Sequence, residues 1–292
     1  MRTRNCLTVA AICLMGGLTA CAGDHLTDAI QPDRPPAADE GANVARAEAI
    51  VRVAHATAQR GDLPMAASLY RRAHSMDGRN FDAARGLADA LNRLGAYDEA
   101  LEAYQEALAL QPKNLDAMRG MGNTLVMLDR ASMAIRHYER ALEVKEDPRV
   151  YNGIGVAYDM LDDYKAAQAF YRVGLDLAPK SLSLRNNLGL SLMLSGKHDA
   201  AVNELRQVVS SPGATVRHRL NLALGLVLAG DSRTAEGIAR FDLDPAGARD
   251  QIAYFETIKA QGDPKESRAA IRAHIRGSSG NAVPRRDAAT GG

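Results

Sequence analysis

Ala54, Ala88, Gly122, Gly155, Gly189 and Ala223 recur at intervals of about 34 residues. A second set, Ala66, Ala100, Ala134, Ala167, Ala201 and Ala235, keeps step with the first. Tyr70, Tyr104, Tyr138 and Tyr171 form a third series, continued by Leu205, and Ala73, Ala107, Ala141 and Gly174 a fourth. Four units close on a helix breaker, Gly78, Pro112, Pro179 and Pro212, and the third is one residue short, stopping just before Pro148. The units run 47–80, 81–114, 115–147, 148–181 and 182–215, and a sixth starts at 216 and degenerates near Asp244-Pro245. A period of this length marks a supersecondary unit that cannot bury its own apolar face and must stack on its neighbours.

Within a unit the apolar spacing fits two helices of about 12–14 residues, joined by turns such as Leu94-Gly95-Ala96-Tyr97-Asp98. The paired small residues let the two helices approach closely, the tyrosine fills the gap above them, and proline ends the second helix. Several in-phase matches at all these positions resemble the tetratricopeptide repeat over roughly 47–245. The expected fold is therefore all-α, a tetratricopeptide-repeat solenoid of about six helix-turn-helix repeats. A solenoid end must be covered. Ile252, Tyr254, Phe255 and Ile258, with a break at Gly262-Asp263-Pro264, make 246–276 one or two C-terminal capping helices. Residues 277–292 are polar and glycine-rich and read as a disordered tail.

The N-terminus carries Arg2 and Arg4, an apolar stretch from Leu7 to Leu18, and Leu18-Thr19-Ala20-Cys21. This is the layout of a secretory signal. The apolar stretch is about 12 residues where a spanning helix needs about 20. The pattern resembles a bacterial lipoprotein signal. That resemblance implies cleavage after residue 20, lipidation (palmitate among the acyl groups) at Cys21 and, with Ala22 following, an outer-membrane address on the periplasmic face. Several acyl chains together anchor firmly. Residues 21–46 hold Pro32, Pro35 and Pro36 among acids and small residues and read as the acylated cysteine plus a flexible linker.

The chain carries 36 Lys+Arg against 35 Asp+Glu, a net charge of +1 that becomes −1 once residues 1–20 leave with Arg2 and Arg4. No basic footprint for nucleic acid is present. The three cysteines sit at 6, 13 and 21, so the mature domain has no disulfide and no cysteine metal site. The seven histidines lack ligand spacing, and the sequence has neither a phosphate-binding Gly-Lys loop nor a Gly-x-Ser-x-Gly elbow. Gly153-x-Gly155 falls at repeat positions where helix packing explains it, and Asp162-Asp163 reads as a pair of caps. No enzyme, no cofactor, no metal and no small-molecule substrate are expected.

A closer resemblance lies in the second half. Tyr151-Asn152-Gly153-Ile154-Gly155-Val156-Ala157-Tyr158-Asp159, Arg185-Asn186-Asn187-Leu188-Gly189-Leu190-Ser191-Leu192, Pro212-Gly213-Ala214-Thr215-Val216-Arg217-His218-Arg219, Asn221-Leu222-Ala223-Leu224, Ala229-Gly230-Asp231 and Ala253-Tyr254-Phe255-Glu256-Thr257 occur in order. They resemble the TadD lipoproteins of the tight-adherence (Flp) pilus assembly system. Leu205 and residues 232–243 depart from the pattern. The resemblance implies an outer-membrane scaffold that binds the secretin or other pilus assembly proteins. A second reading is a periplasmic lipoprotein adaptor that activates a cell-wall synthase or another envelope enzyme.

By resemblance to the repeat fold, the first helix of each unit lines a concave groove. That places Arg85, Arg119, Asn123, Asn152, Asn186, Leu190 and Met193 in it, grading from charged to apolar. Asn amides pair with peptide N–H and C=O groups, and Arg takes a carboxylate. Two readings stand for the polar stretch, a grip on a partner's extended peptide or a solvated helix face. Two also stand for the apolar end around Leu190, Met193, Leu224 and Val227: residues 246–260 fold back over it, or a partner helix docks there.

Overall fold

The computed structural model describes residues 37–277, and all regular structure within them is helical. The signal at 1–20, Cys21, the first part of the linker and the tail beyond 277 lie outside the described residues. The helices are α1 (Ala37–Gln59), α2 (Leu63–Met76), α3 (Phe81–Leu94), α4 (Tyr97–Leu110), α5 (Leu115–Met127), α6 (Ala131–Val144), α7 (Pro148–Met160), α8 (Tyr164–Leu177), α9 (Leu182–Leu194), α10 (His198–Val209), α11 (Val216–Ala229), α12 (Ser232–Ala239), α13 (Pro245–Lys259) and α14 (Pro264–Gly277). The first twelve form six consecutive hairpins, each packed on the next, and α13 lies on α11 and α12.

Helix starts are written locally. Asp62, Asn80, Asn114, Asp163, Ser181, Thr215, Asp231 and Asp244 each accept a hydrogen bond from the backbone amide three residues on, which satisfies one otherwise orphaned donor. Asp147 does the same for the amide of Arg149. Within the hairpins, Gly61, Gly95, Gly196 and Gly230 take positive φ. The equivalent turns of the third and fourth hairpins use Asp129 and Asp162, at φ 60° and 62°. Aspartate there costs more than glycine, though it is among the side chains that tolerate the left-handed region. Both aspartates of Asp162-Asp163 cap helices: Asp163 accepts from the Ala166 amide at the start of α8, and Asp162, left-handed just past α7, lets the Asp163 amide donate back to the Tyr158 carbonyl at 3.0 Å.

The core follows the repeat. Ala54, Ala66, Ala88, Ala100, Ala134, Ala167, Ala201, Ala223 and Ala235 are fully buried, and Tyr70, Tyr104, Tyr138 and Tyr171 are at most 2% exposed. A Cβ placed on Gly122 would lie 2.5 Å from the Tyr138 ring, and one on Gly153 also 2.5 Å. Tyr138 is thus wedged between the first helix of its own hairpin and that of the next. Leu205 fills the same place in the fifth hairpin, with Gly189 against it. A helical glycine normally costs about 1 kcal/mol relative to alanine. Gly153→Ala is expected to invert that sign and destabilise by about 1–3 kcal/mol through overpacking. Gly237→Ala in α12, where nothing lies within 4 Å of a new Cβ, should stabilise. Paired denaturant titrations check this; equal signs for the two variants would refute the wedge.

Two sequence expectations change. Residues 37–46, read as linker, are the start of α1. Ala-Ala-Asp-Glu-Gly-Ala-Asn-Val-Ala-Arg has enough helix propensity to continue the helix upstream. Burial nevertheless begins only at Ala47, followed by Val51, Ala54 and Thr57 on one stripe. The sixth hairpin is half-formed on its second side, since α12 has only eight residues. Its exit is pinned instead by Arg219, whose guanidinium donates twice to Asp242 at 2.5 and 2.6 Å, and by Ser232, which donates to Glu256 of α13.

Candidate partner-binding groove

The first helices α3, α5, α7, α9 and α11 lie side by side, and three of the buried tyrosine hydroxyls reach through to the groove side of their own hairpins. Tyr104 donates to Asp89 at 2.5 Å, Tyr138 to Asn123 at 2.7 Å and Tyr171 to Asp159 at 2.8 Å. Burial pushes all three phenols above their ordinary pKa, so they stay protonated donors. These hydroxyls fix the rotamers of groove residues from behind, a support absent from any reading of the groove positions alone.

The groove is polar and half-buried from α3 to α7. Arg85 pairs with Asp89 at 3.1 Å and Asp82 at 3.7 Å and lies over the Phe81 ring. Arg119 donates to Asp116 at 2.8 Å, and that bond holds the Asp116 carboxyl below the usual range. Arg149 extends the chain of charges, 3.6 Å from Asp116 and 2.6 Å from Asp147. Asn92 accepts from Thr124 at 3.1 Å. Arg85 and Arg119 keep about a quarter of their side-chain surface in solvent. Asn123 and Asn152 are half-buried.

Beyond α7 the groove closes. Asn187 donates to Asn152 at 3.0 Å, and Asn221 to Asn186 at 3.0 Å, so these amides tie α7 to α9 and α9 to α11. Asn186 and Leu190 are each 5% exposed and Met193 1%. The expectation that these three meet a partner is corrected for this conformation. The C-terminal halves of α9 and α11 are buried without interruption, Leu188–Leu194 and Asn221–Leu228, and such stretches must be covered on every side. Ile252, Phe255 and Ile258 of α13 and Ile271 of α14 belong to the same cluster as Leu190, Met193, Leu224 and Val227. Helix α13 packs on α11 and α12, so the chain itself covers the apolar end on the α11 side.

Arg272 of α14 reaches the C-terminal end of α7 and the start of α8. It donates to the backbone carbonyl of Asp159 at 3.1 Å, to the Tyr164 hydroxyl at 2.8 Å and to the Asp162 carboxylate. Asp159 is the polar node beneath it. Its carboxylate accepts from Ser191 at 2.6 Å as well as from Tyr171, and burial pushes its pKa up to about 7. No local sequence signal joins residue 272 to 159 and 162. His274 packs edge-on against Phe255, and burial lowers its pKa to about 4, leaving it neutral. Among the described residues no group of three or more His, Cys, Asp or Glu could hold a metal ion.

The chain matches the tetratricopeptide-repeat family over 79–147 and again over 120–181. Both matches fall on the hairpins just described, in register with the tyrosine series. This is a tetratricopeptide-repeat solenoid. The tetratricopeptide fold is a protein-interaction scaffold, whose stacked first helices present an extended concave surface. No curated protein sequence matches significantly. Solved tetratricopeptide structures do. PilF of Pseudomonas aeruginosa aligns with TM-score 0.59 and 18% identity, covering 73% of this chain and 99% of its own. PilW, described as a widely conserved type IV pilus biogenesis factor, aligns at 0.61 and 18%, covering 67% and 93%. A thermophilic tetratricopeptide protein of Thermus thermophilus aligns at 0.54 and 20%, covering 62% and 99%. At such identities the likeness is one of fold.

Proposed function

We propose that this chain is a lipid-anchored scaffold on the periplasmic face of the outer membrane. There it assists assembly or positioning of the secretin in a tight-adherence pilus system through its tetratricopeptide groove. The observation that carries the reading is the open stretch from α3 to α7. Arg85, Arg119, Asn123 and Asn152 stand there preorganised by tyrosine hydroxyls and ion pairs, a lining that reads carboxylates and peptide groups. The lipobox ending at Cys21 and the resemblance to TadD lipoproteins supply the anchor and the system. The fold shared with PilW, itself a pilus biogenesis factor, is consistent with them.

The test is the amount of detergent-resistant secretin multimer in outer membranes of cells lacking this chain, with complementation. Wild-type chain is expected to restore multimer, Cys21→Ala to fail, and Arg119→Ala with Asn123→Ala to restore it only in part. Unchanged multimer in the deletion would overturn the secretin role.

A further inference from the structure

We propose that Arg272 is a latch. It ties α14 to the turn between α7 and α8, holds the fourth to sixth hairpins at one curvature, and releases them when its ion pair is screened.

Hairpins of this kind touch only their neighbours. Every helix pair in substantial contact lies within one hairpin, between adjacent hairpins, or between α13 and the helices on either side of it. The small rotation between units then adds along the stack, and nearest-neighbour contacts alone do not fix the sum. Arg272 is an exception. Its guanidinium donates to the Asp159 carbonyl at 3.1 Å, to the Tyr164 hydroxyl at 2.8 Å and to the Asp162 carboxylate, groups 113, 108 and 110 residues upstream. Its own helix rests on α13, where the His274 ring stands edge-on to Phe255 with centroids 4.9 Å apart. Helix α13 rests in turn on α11 and α12. The two ends of a three-hairpin stretch are thereby joined. The joint this spares most is the last, because α12 has only eight residues to offer α13.

The receptor for the guanidinium is assembled from the α7–α8 turn itself. The Tyr164 hydroxyl donates to Asp162 while accepting from Arg272. Those bonds, the tyrosine's first, hold the Asp162 carboxyl below the usual carboxylate range, so it is charged at neutral pH. The Asp159 carbonyl stands in the last turn of α7, where the helix dipole favours a cation.

The latch is also built to open. The Asp162 side chain is 60% exposed and that of Arg272 31%, and ion pairs in contact with water weaken as salt rises. Among the described residues of α14 only Ile271 is buried. An element with so few buried apolar contacts detaches before the rest of the fold.

The experiment is a spin-label distance measurement on the full chain with Cys6→Ser, Cys13→Ser and Cys21→Ser. Labels go on Ala169→Cys in α8 and Ala253→Cys in α13, both exposed. Arg272→Ala and Asp162→Gly are each expected to at least double the width of the distance distribution. Raising the salt from about 0.1 M to about 1 M shortens the screening length from about 10 Å to about 3 Å. That step is expected to broaden the wild-type distribution and to leave Arg272→Ala unchanged. Hydrogen exchange at amides 221–228, expected at the wild-type rate in both variants, shows that the body is intact. Should Arg272→Ala fold poorly, Asp162→Gly keeps the test decisive, because four sister turns carry glycine at positive φ. An unchanged width in either folded variant overturns the proposal. Faster exchange of amides 266–275 with no change in width also overturns it, since α14 then rides on α13 without bracing anything.

Discussion

Tyr138→Ala is expected to cost about 3–5 kcal/mol, the range for emptying a large buried aromatic site. The ring is 1% exposed and sits with Gly122 on one side and Gly153 on the other. No side chain on either glycine can swing in to fill the void, because glycine stands there to admit the ring. The loss falls on the contact between the third and fourth hairpins. In a solenoid stability is a sum of repeat and nearest-neighbour terms, so removing one interface term should also separate the melting of the two sides. Tyr138→Phe keeps the ring and removes only the bond to Asn123, which is expected to cost about 1 kcal/mol. Thermal unfolding followed by circular dichroism, with exchange rates read separately for 81–127 and 182–229, distinguishes the two substitutions. A Tyr138→Ala chain that loses less than Tyr138→Phe would show that the wedge is not structural.

Asp159→Asn is expected to stabilise the chain at pH 8 and not at pH 4–5. Burial raises the Asp159 pKa to about 7, against the lowering effect of bonds from Ser191 and Tyr171 and of the Arg272 charge. A folded-state pKa above the unfolded one means that the folded chain binds the extra proton between roughly pH 4 and 7. The residue's contribution to stability therefore worsens as pH rises through that window, and its full penalty is present above about 7. A tenfold difference in proton affinity between folded and unfolded chain corresponds to about 1.4 kcal/mol. The asparagine also forgoes attraction to Arg272, and its amide must donate to one hydroxyl that now donates to it. Together these leave an expected gain of about 1–3 kcal/mol at pH 8, vanishing by pH 4–5. Melting temperatures of both chains across that range test it. A constant difference between them would mean that Asp159 does not titrate in the window.

The repeats are legible in the sequence because their signal is steric. Gly122, Gly153 and Tyr138 constrain one another whatever lies on the surface, and such demands recur in phase along the chain. The small residues of the later hairpins behave alike, with Leu205 taking the tyrosine's place against Gly189. Groove positions are legible as far as α7 for the same reason, since Arg85, Arg119, Asn123 and Asn152 follow the helical period. The fate of Asn186, Leu190 and Met193 is not. It depends on the C-terminal halves of α9 and α11 being buried on all sides, and on which part of the chain supplies the cover. Arg272, more than a hundred residues beyond Asp159, likewise sits on a helix with five charged residues in fourteen that reads locally as a solvated cap. The upstream growth of α1 is equally silent, because it rests on helix propensity without burial and leaves no periodic apolar trace.

The half-filled groove also works as a ruler. Axes of packed helices lie about 8–10 Å apart, so the open stretch from α3 to α7 measures about 20 Å between its outer helices. Extended chain advances about 3.3 Å per residue, so a linear segment laid across that stretch is read over about six residues. On the proposed reading of the groove, recognition would therefore have a built-in word length, set by the span from α3 to α7.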